Sequence, residues 1–205
     1  MMADWWPDWT GETVVIVASG PSAKGVDLSP ARGKARFMAT NTSWLLAPWA
    51  DILHACDYAW WREHKGCPAF EGLKTTVDAQ APRHYPDVKL IGCRRGDDRL
   101  ILEPTGVVGW GGNSGFHCIN LAVQFGVSKI ILVGFDMSIA AGLHWHGKHP
   151  GNMNNPSAKN VERWRRAVDG AAGVLADRGI KAFNCSSISA LRNYRKTTLG
   201  EALVA

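Results

Sequence analysis

The chain has 205 residues, enough for one well-buried core and short for two, and its 46% apolar and 20% charged residues are an ordinary globular balance that argues against long disordered tracts. No run approaches the roughly 20 apolar residues a bilayer crossing needs, and no basic segment followed by an apolar core opens the chain, so a cytoplasmic protein without a membrane span is expected. A net charge of +5 suits a polyanion or an anionic small substrate without choosing between them, and five scattered cysteines with no Cys-x-x-Cys pair fit reduced thiols rather than a disulfide framework or a cysteine zinc site.

In chain order, residues 1–12 form an N-terminal extension carrying Trp5, Trp6 and Trp9, three of ten tryptophans. They are expected to pack over the core or to make a contact between subunits, which leaves a homo-oligomer open. Residues 13–18, Thr-Val-Val-Ile-Val-Ala, are a continuous β-branched run, the mark of a strand buried on both faces of a parallel sheet. The turn Ser19-Gly20-Pro21-Ser22 follows. Its small side chains let backbone N–H groups approach an anion, and its two hydroxyls can donate to phosphate; the plainer reading is a tight turn with Ser22 as a helix cap.

Residues 36–39 and 52–55 are weaker strand candidates. Beyond the first stand Asn41 and Thr42, beyond the second Asp57. In a parallel sheet all of them fall on the edge that carries the Gly-Pro-Ser turn, where Asn41 can donate to and accept from a base or ribose. Residues 66–86, rich in proline, glycine and charge, read as an excursion from the framework. A strand is expected over residues 89–92. The glycine-rich stretch 109–115 then opens a helix over residues 114–125, whose apolar positions fall at helical spacing and which Gly126 stops. Asn113, Ser114 and Gly115 at its start supply free N–H groups and the positive end of the helix dipole, or a plain N-cap.

Residues 129–134 form the strongest strand, ending in Phe135 and Asp136. The loop 137–157 follows, with His144, His146 and His149. An acid at a strand's carboxyl end beside a histidine-bearing loop supplies groups for general acid–base work. His-x-His-x-x-His also suits zinc or manganese, yet loop spacing is permissive, so no metal ligand is assigned and a divalent metal stays open. A helix over residues 158–178 and a strand over 181–184 close the alternation. The fold class is therefore α/β: a single Rossmann-like domain, residues 1–205, with a mostly parallel sheet flanked by helices. Trp60, Trp61, Trp110 and Trp145 fall in expected loops or loop edges and are candidates for stacking on a base or sugar.

Taken in order, Val-Ile-Val-Ala-Ser19-Gly-Pro-Ser, Thr-Asn41-Thr, Cys-Asp57-Tyr, Asn113-Ser-Gly-Phe-His, Ile-Ile-Leu-Val-Gly-Phe135-Asp-Met and the histidine loop resemble the bacterial lipooligosaccharide sialyltransferases. The succession is also similar to a wider group of Rossmann-like proteins that includes the archaeal hydroxymethylpterin diphosphokinase and has members in phage genomes. The resemblance spans residues 13 to 192 and ends on Ile180-Lys-Ala-Phe-Asn-Cys-Ser-Ser. It implies a glycosyltransferase-like enzyme whose donor is a nucleotide-activated, CMP-linked sugar and whose acceptor is unnamed. Ser19, Gly20, Pro21 and Ser22 would face the donor phosphate, Asn41 and position 57 would lie beside phosphate and ribose, and Ser114 and Gly115 would hold the nucleoside. Phe135 and Asp136 would border the base and ribose pocket, and His149, or His146, would take the acceptor proton. Two departures stand out. Met137, Ser138 and Ile139 occupy the place of a tyrosine pair that helps the leaving phosphate, and Asp57 replaces an asparagine. The alternatives are a metal-dependent diphosphokinase-like transferase with Asp57 and Asp136 on magnesium, and a nucleic-acid binding or DNA-modifying protein using Arg94, Arg95, Arg163, Arg165 and Arg166.

Overall fold

A computed structural model describes residues 3–149 and 153–205. Its strands, in chain order, are β1 (Thr13–Val17), β2 (Arg36–Thr40), β3 (Ile52–His54), β4 (Leu73–Thr76), β5 (Val88–Leu90), β6 (Gly92–Arg94), β7 (Val107–Gly109), β8 (Lys129–Val133), β9 (Lys181–Asn184) and β10 (Arg195–Lys196). Helices are α1 (Tyr58–Glu63), α2 (Ala81–His84), α3 (Ser114–Gln124), α4 (Ala158–Asp177) and α5 (Leu199–Val204), and single 3-10 turns follow β1 and β2 at Pro21–Gly25 and Asn41–Leu46. Eight strands form one parallel sheet in the order β10-β9-β8-β1-β2-β3-β4-β5, and β6 pairs with β7 in a separate parallel ribbon. The chain winds outward from β1 through β5, then returns to lay β8 on the other side of β1, so the winding reverses between β1 and β8. No helix among the described residues is long and apolar enough to cross a membrane.

Alternation along each strand divides the core in two. Val14, Ile16, Met38, Ile130 and Leu132 face α3 and α4, through Phe116, Ile119, Val168 and Leu175. Val15, Val17, Phe37, Leu53, Ile131 and Val133 face Trp61, Phe70 and α5 on the other side. Both faces of the central strands are therefore covered, as continuous β-branched runs require. Trp6 and Trp9 each pack edge-on against Phe125 with centroids 4.9 Å apart, which fastens the N-terminal extension to the end of α3.

Two readings of the sequence need correction. The excursion at residues 66–86 contains β4 and α2, and β4 hides because it is polar: Lys74, Thr75 and Thr76 are all buried. Lys74 and Thr75 find partners on other elements, Lys74 Nζ donating to Asp87 at 2.6 Å and Thr75 Oγ1 meeting His54 Nδ1 at 2.9 Å. The strand read at 89–92 ends at Leu90, which is 49% exposed on the sheet edge, and Gly92 already belongs to β6. Buried Ile91 carries the break, its N–H donating to Thr76 O while the Gly92 N–H donates to Gly106 O.

A buried chain of hydrogen bonds ties β4 and β3 to α3. His117 Nε2 lies 2.8 Å from the Trp110 carbonyl, which can only accept, so Nε2 carries the proton and Nδ1 a lone pair. His54 Nε2, 3.1 Å from that nitrogen, must then donate, and His54 Nδ1 accepts from Thr75 Oγ1. Both rings are neutral. Burial holds His117 down to about 4 and His54 well below 6.5, with the paired imidazole adding to the effect on His54. The unfolded chain binds more protons than the native one between pH 6.5 and 4, so the stabilisation is complete above 6.5 and fades as pH falls through that window. For His117 the loss is roughly 3 kcal/mol. Urea unfolding should therefore show a free energy that drops from pH 7 to pH 4.5, and His117→Leu should be less stable at pH 7 with a shallower pH slope; an equal slope would remove His117 from the account.

Candidate functional site at the β1/β8 switch point

The carboxyl ends of β1, β2, β3 and β8 open on a cavity of about 400 Å³. In open parallel sheets ligands bind at such a reversal of winding, because the flanking connections diverge and leave a crevice. Ser19 and Gly20 line it from β1, Asn41 from β2, Asp57 from β3, and Asp136 from β8. The far wall is Trp110, Asn113 and Gly115 at the start of α3, with Asn160, Val161 and Trp164 of α4. Met137, Ser138, Ile139, Leu143, His144 and His149 close it from the loop after β8.

The floor is set by one close approach. A Cβ at Gly20 would stand 2.5 Å from the Gly134 carbonyl oxygen and 2.6 Å from Asp136 Cγ, so only glycine fits. The Gly20 N–H donates to Gly134 O at 2.9 Å, and Asp136, buried, accepts from the Ser22 N–H at 2.9 Å and from the Ser22 hydroxyl. The carboxyl is held above its usual range by burial, against which the two Ser22 bonds pull. The turn thus spends its polar groups inward. Ser22 faces Asp136 rather than the cavity, Pro21 has no N–H to give, and neither lines the cavity. Asp136, with both oxygens engaged, braces the turn.

Other expected residues sort by position. Asn41, at φ 49°, projects into the cavity from the left-handed region that asparagine tolerates, and its Oδ1 accepts from Ser114 Oγ at 3.3 Å. Ser114 is buried behind the wall and also accepts from the Cys56 N–H. Asn113 is the N-cap, accepting from the Phe116 N–H at 2.8 Å, so Ser114 and Gly115 keep the two N–H groups without an intrahelical partner. Phe135 is fully buried beneath Gly115, and Thr42 accepts from Trp60 Nε1 outside the cavity. Trp60 and Trp61 are core residues, and Trp145 anchors the loop, its N–H donating to Ser19 O and its Nε1 to Ser43 Oγ. Of the four tryptophans expected to stack, only Trp110 lines the cavity.

His144 and His149 reach the cavity, while His146 stands behind them. Asn155 fixes the His149 backbone, Oδ1 accepting from the His149 N–H at 2.9 Å and Nδ2 donating to its carbonyl. Burial, then the neighbouring imidazoles, pushes His144 and His146 down to about 4; His149 is lowered too, mainly by burial. Sequence reasoning missed Asn160 and Trp164, whose i, i+4 spacing on the first turns of α4 was the available signal. Arg163 pairs with Asp98, Arg165 with Asp169, Arg166 with Glu162, and Arg95 lies 4.7 Å over the Trp110 ring, so most of the arginines considered for a polyanion are engaged within the protein.

Two solved structures of the sialyltransferase CstII from Campylobacter jejuni match this chain. The complex with the substrate analogue cytidine-5'-monophosphate aligns with a TM-score of 0.58 at 13% identity, over 92% of this chain and 86% of that one. The complex with CMP-3FNeuAc aligns at 0.57 and 14%, over 93% and 88%. These proteins share a fold. No family model and no curated protein matches the sequence.

The brace makes two substitutions informative. Gly20→Ala should cost about 1–3 kcal/mol by overpacking. Ser22→Ala should cost a similar amount by leaving Asp136 buried with one bond fewer. Thermal unfolding of both should show losses that Ser138→Ala, on the open side of the cavity, does not.

Proposed function

We propose that this protein is a transferase that holds a nucleotide-activated, CMP-linked sugar donor in the switch-point cavity and passes the sugar to an acceptor hydroxyl. The observation that carries the reading is the start of α3: the Gly115 N–H, at the positive end of the helix, borders a cavity that also presents the Asn41 amide and the Trp110 ring. A phosphate suits the first, a ribose hydroxyl the second and a base face the third. The fold likeness to CstII, solved with cytidine-5'-monophosphate and CMP-3FNeuAc, supports the choice of nucleotide.

In the reaction the acceptor oxygen attacks the anomeric carbon as the bond from that carbon to the phosphate oxygen breaks, and CMP departs with its electrons. The acceptor proton passes to the histidine wall, with His149 as the imidazole placed by Asn155. The α3 N–H groups and the Ser138 hydroxyl receive the leaving phosphate in place of tyrosines. Asp57, exposed at the rim, faces the ribose side.

Melting curves with cytidine mono-, di- and triphosphates check the donor site. CMP at 100 times its dissociation constant should stabilise the protein by about 2.7 kcal/mol. Asn41→Gly, which keeps the positive φ unstrained, should weaken CMP roughly tenfold, the size of one lost hydrogen bond of about 1.4 kcal/mol. His149→Gln should keep the CMP shift and lose CMP release from a CMP-sugar. Absence of any nucleotide shift would sink the reading.

A further inference from the structure

The loop after β8 holds a second feature. His144, His146 and His149 each turn one ring nitrogen toward a common point, and the three atoms lie within 4.8 Å of one another. Ring centroids are 4.4 to 5.1 Å apart, with His144 and His146 nearly parallel. The Nε2 atoms of His144 and His146 are buried with no hydrogen-bond partner among the described residues, although leaving such an atom unsatisfied costs about 1–3 kcal/mol. Packing of three imidazoles does not require two buried nitrogens to be left unpaired. The loop is held in place independently of the rings, by Trp145 on Ser19 and Ser43 at one end and by Asn155 on the His149 backbone at the other.

We propose that His144, His146 and His149 bind one divalent transition-metal ion, Zn²⁺ foremost. An all-imidazole set suits zinc and its neighbours and not Mg²⁺ or Ca²⁺, which take oxygen ligands. At a Zn–N distance of about 2.0–2.1 Å, tetrahedral ligands stand about 3.3 Å apart, so modest inward rotation of the rings closes the site. Three protein ligands leave a coordination position for water or substrate, the arrangement of catalytic rather than structural zinc.

The position also answers a charge problem. Among the described residues lining the cavity there are Asp57 and Asp136 and neither lysine nor arginine. An anionic donor there gains a counter-charge from an ion beside His144 and His149, a consequence that rests on the donor reading above; the metal site itself does not. A neutral imidazole has one lone pair, so His149 serves as the base described above only in the ion-free protein; with the ion bound, a water held on it would take that proton instead.

The test uses tag-free protein stripped with chelator and titrated with ZnCl₂, CoCl₂ or MgCl₂, read by elemental analysis, melting and visible absorption. One Zn²⁺ per chain, a rise in melting temperature and the visible bands of a low-symmetry Co²⁺ site are expected, with no effect of Mg²⁺. His144→Gln and His149→Gln should each weaken Zn²⁺ by at least about a hundredfold, more than loss of a supporting partner does. His84→Gln, exposed and outside the cluster, should bind as the parent does. No stoichiometric zinc, an equal effect of Mg²⁺, or zinc binding unchanged in the triple glutamine variant would overturn the site. If the variants do not fold, the parent's Co²⁺ spectrum decides, and its absence overturns the site. The CMP shift is measured in chelator, so the two ideas fail separately: a CMP shift without zinc binding overturns only the ion, and zinc binding without a CMP shift supports the ion and overturns only the donor reading.

Discussion

The contact between the segments leaving β1 and β8 is the constraint on which the site depends. Parallel neighbours with diverging connections naturally splay at a reversal of winding, yet here the two turns touch: Gly20 lies on Gly134, and Ser22 is bonded twice to Asp136. The segment beyond β9 reinforces the same point. Ser186 Oγ accepts from the Phe135 N–H, Ser189 Oγ donates to the Phe135 carbonyl, and the Ala190 N–H donates to the Asp136 carbonyl. Phe135 and Asp136 are thus held on both sides, and the cavity above them inherits a fixed floor.

That construction has a cost in binding groups. A turn whose amides point outward makes an anion nest; this turn sends the Gly20 and Ser22 N–H groups into the protein. On the opposite wall, at the start of α3, the Asn113 cap satisfies Phe116 and leaves the first two N–H groups without an intrahelical partner. The buried His54–His117 pair holds the Trp110 carbonyl and so steadies the stretch that leads into that helix. Core hydrogen bonding and the shape of the cavity wall are in this sense one network.

Sequence pattern exposed the framework wherever packing is apolar and local. β1, β8, α3 and α4 follow from β-branched runs or helical spacing, because each buries an apolar face, while β2 and β9, without such a run, are only weakly marked. β4 escaped that logic, since the partners that make Lys74 and Thr75 tolerable in the interior, Asp87 and His54, come from other elements. Strand-end residues such as Ser19, Asn41, Asp57 and Asp136 could be placed on one edge by topology alone. The direction of Ser22 could not, because its partner lies 114 positions away and both hydroxyl orientations satisfy local rules. Trp60 and Trp61 went astray for the related reason that α1, only six residues long, buries both against β3 and the loop beyond it.

The two acids of the cavity show how placement, rather than residue type, assigns a task. Asp57 caps nothing with its side chain and is exposed at the mouth, where solvent screens it. Asp136 is almost fully buried, and only the Ser22 bonds offset the desolvation that raises it. Were it to take a proton, it would still accept from the Ser22 amide, but the hydroxyl bond would lose its charge assistance and the hold on the turn would slacken. An anion entering from the α3 side works in that direction by lifting the carboxyl further, and a cation near the histidines works against it. The charge state of the cavity and the tightness of the β1–β8 contact are therefore coupled through one carboxylate.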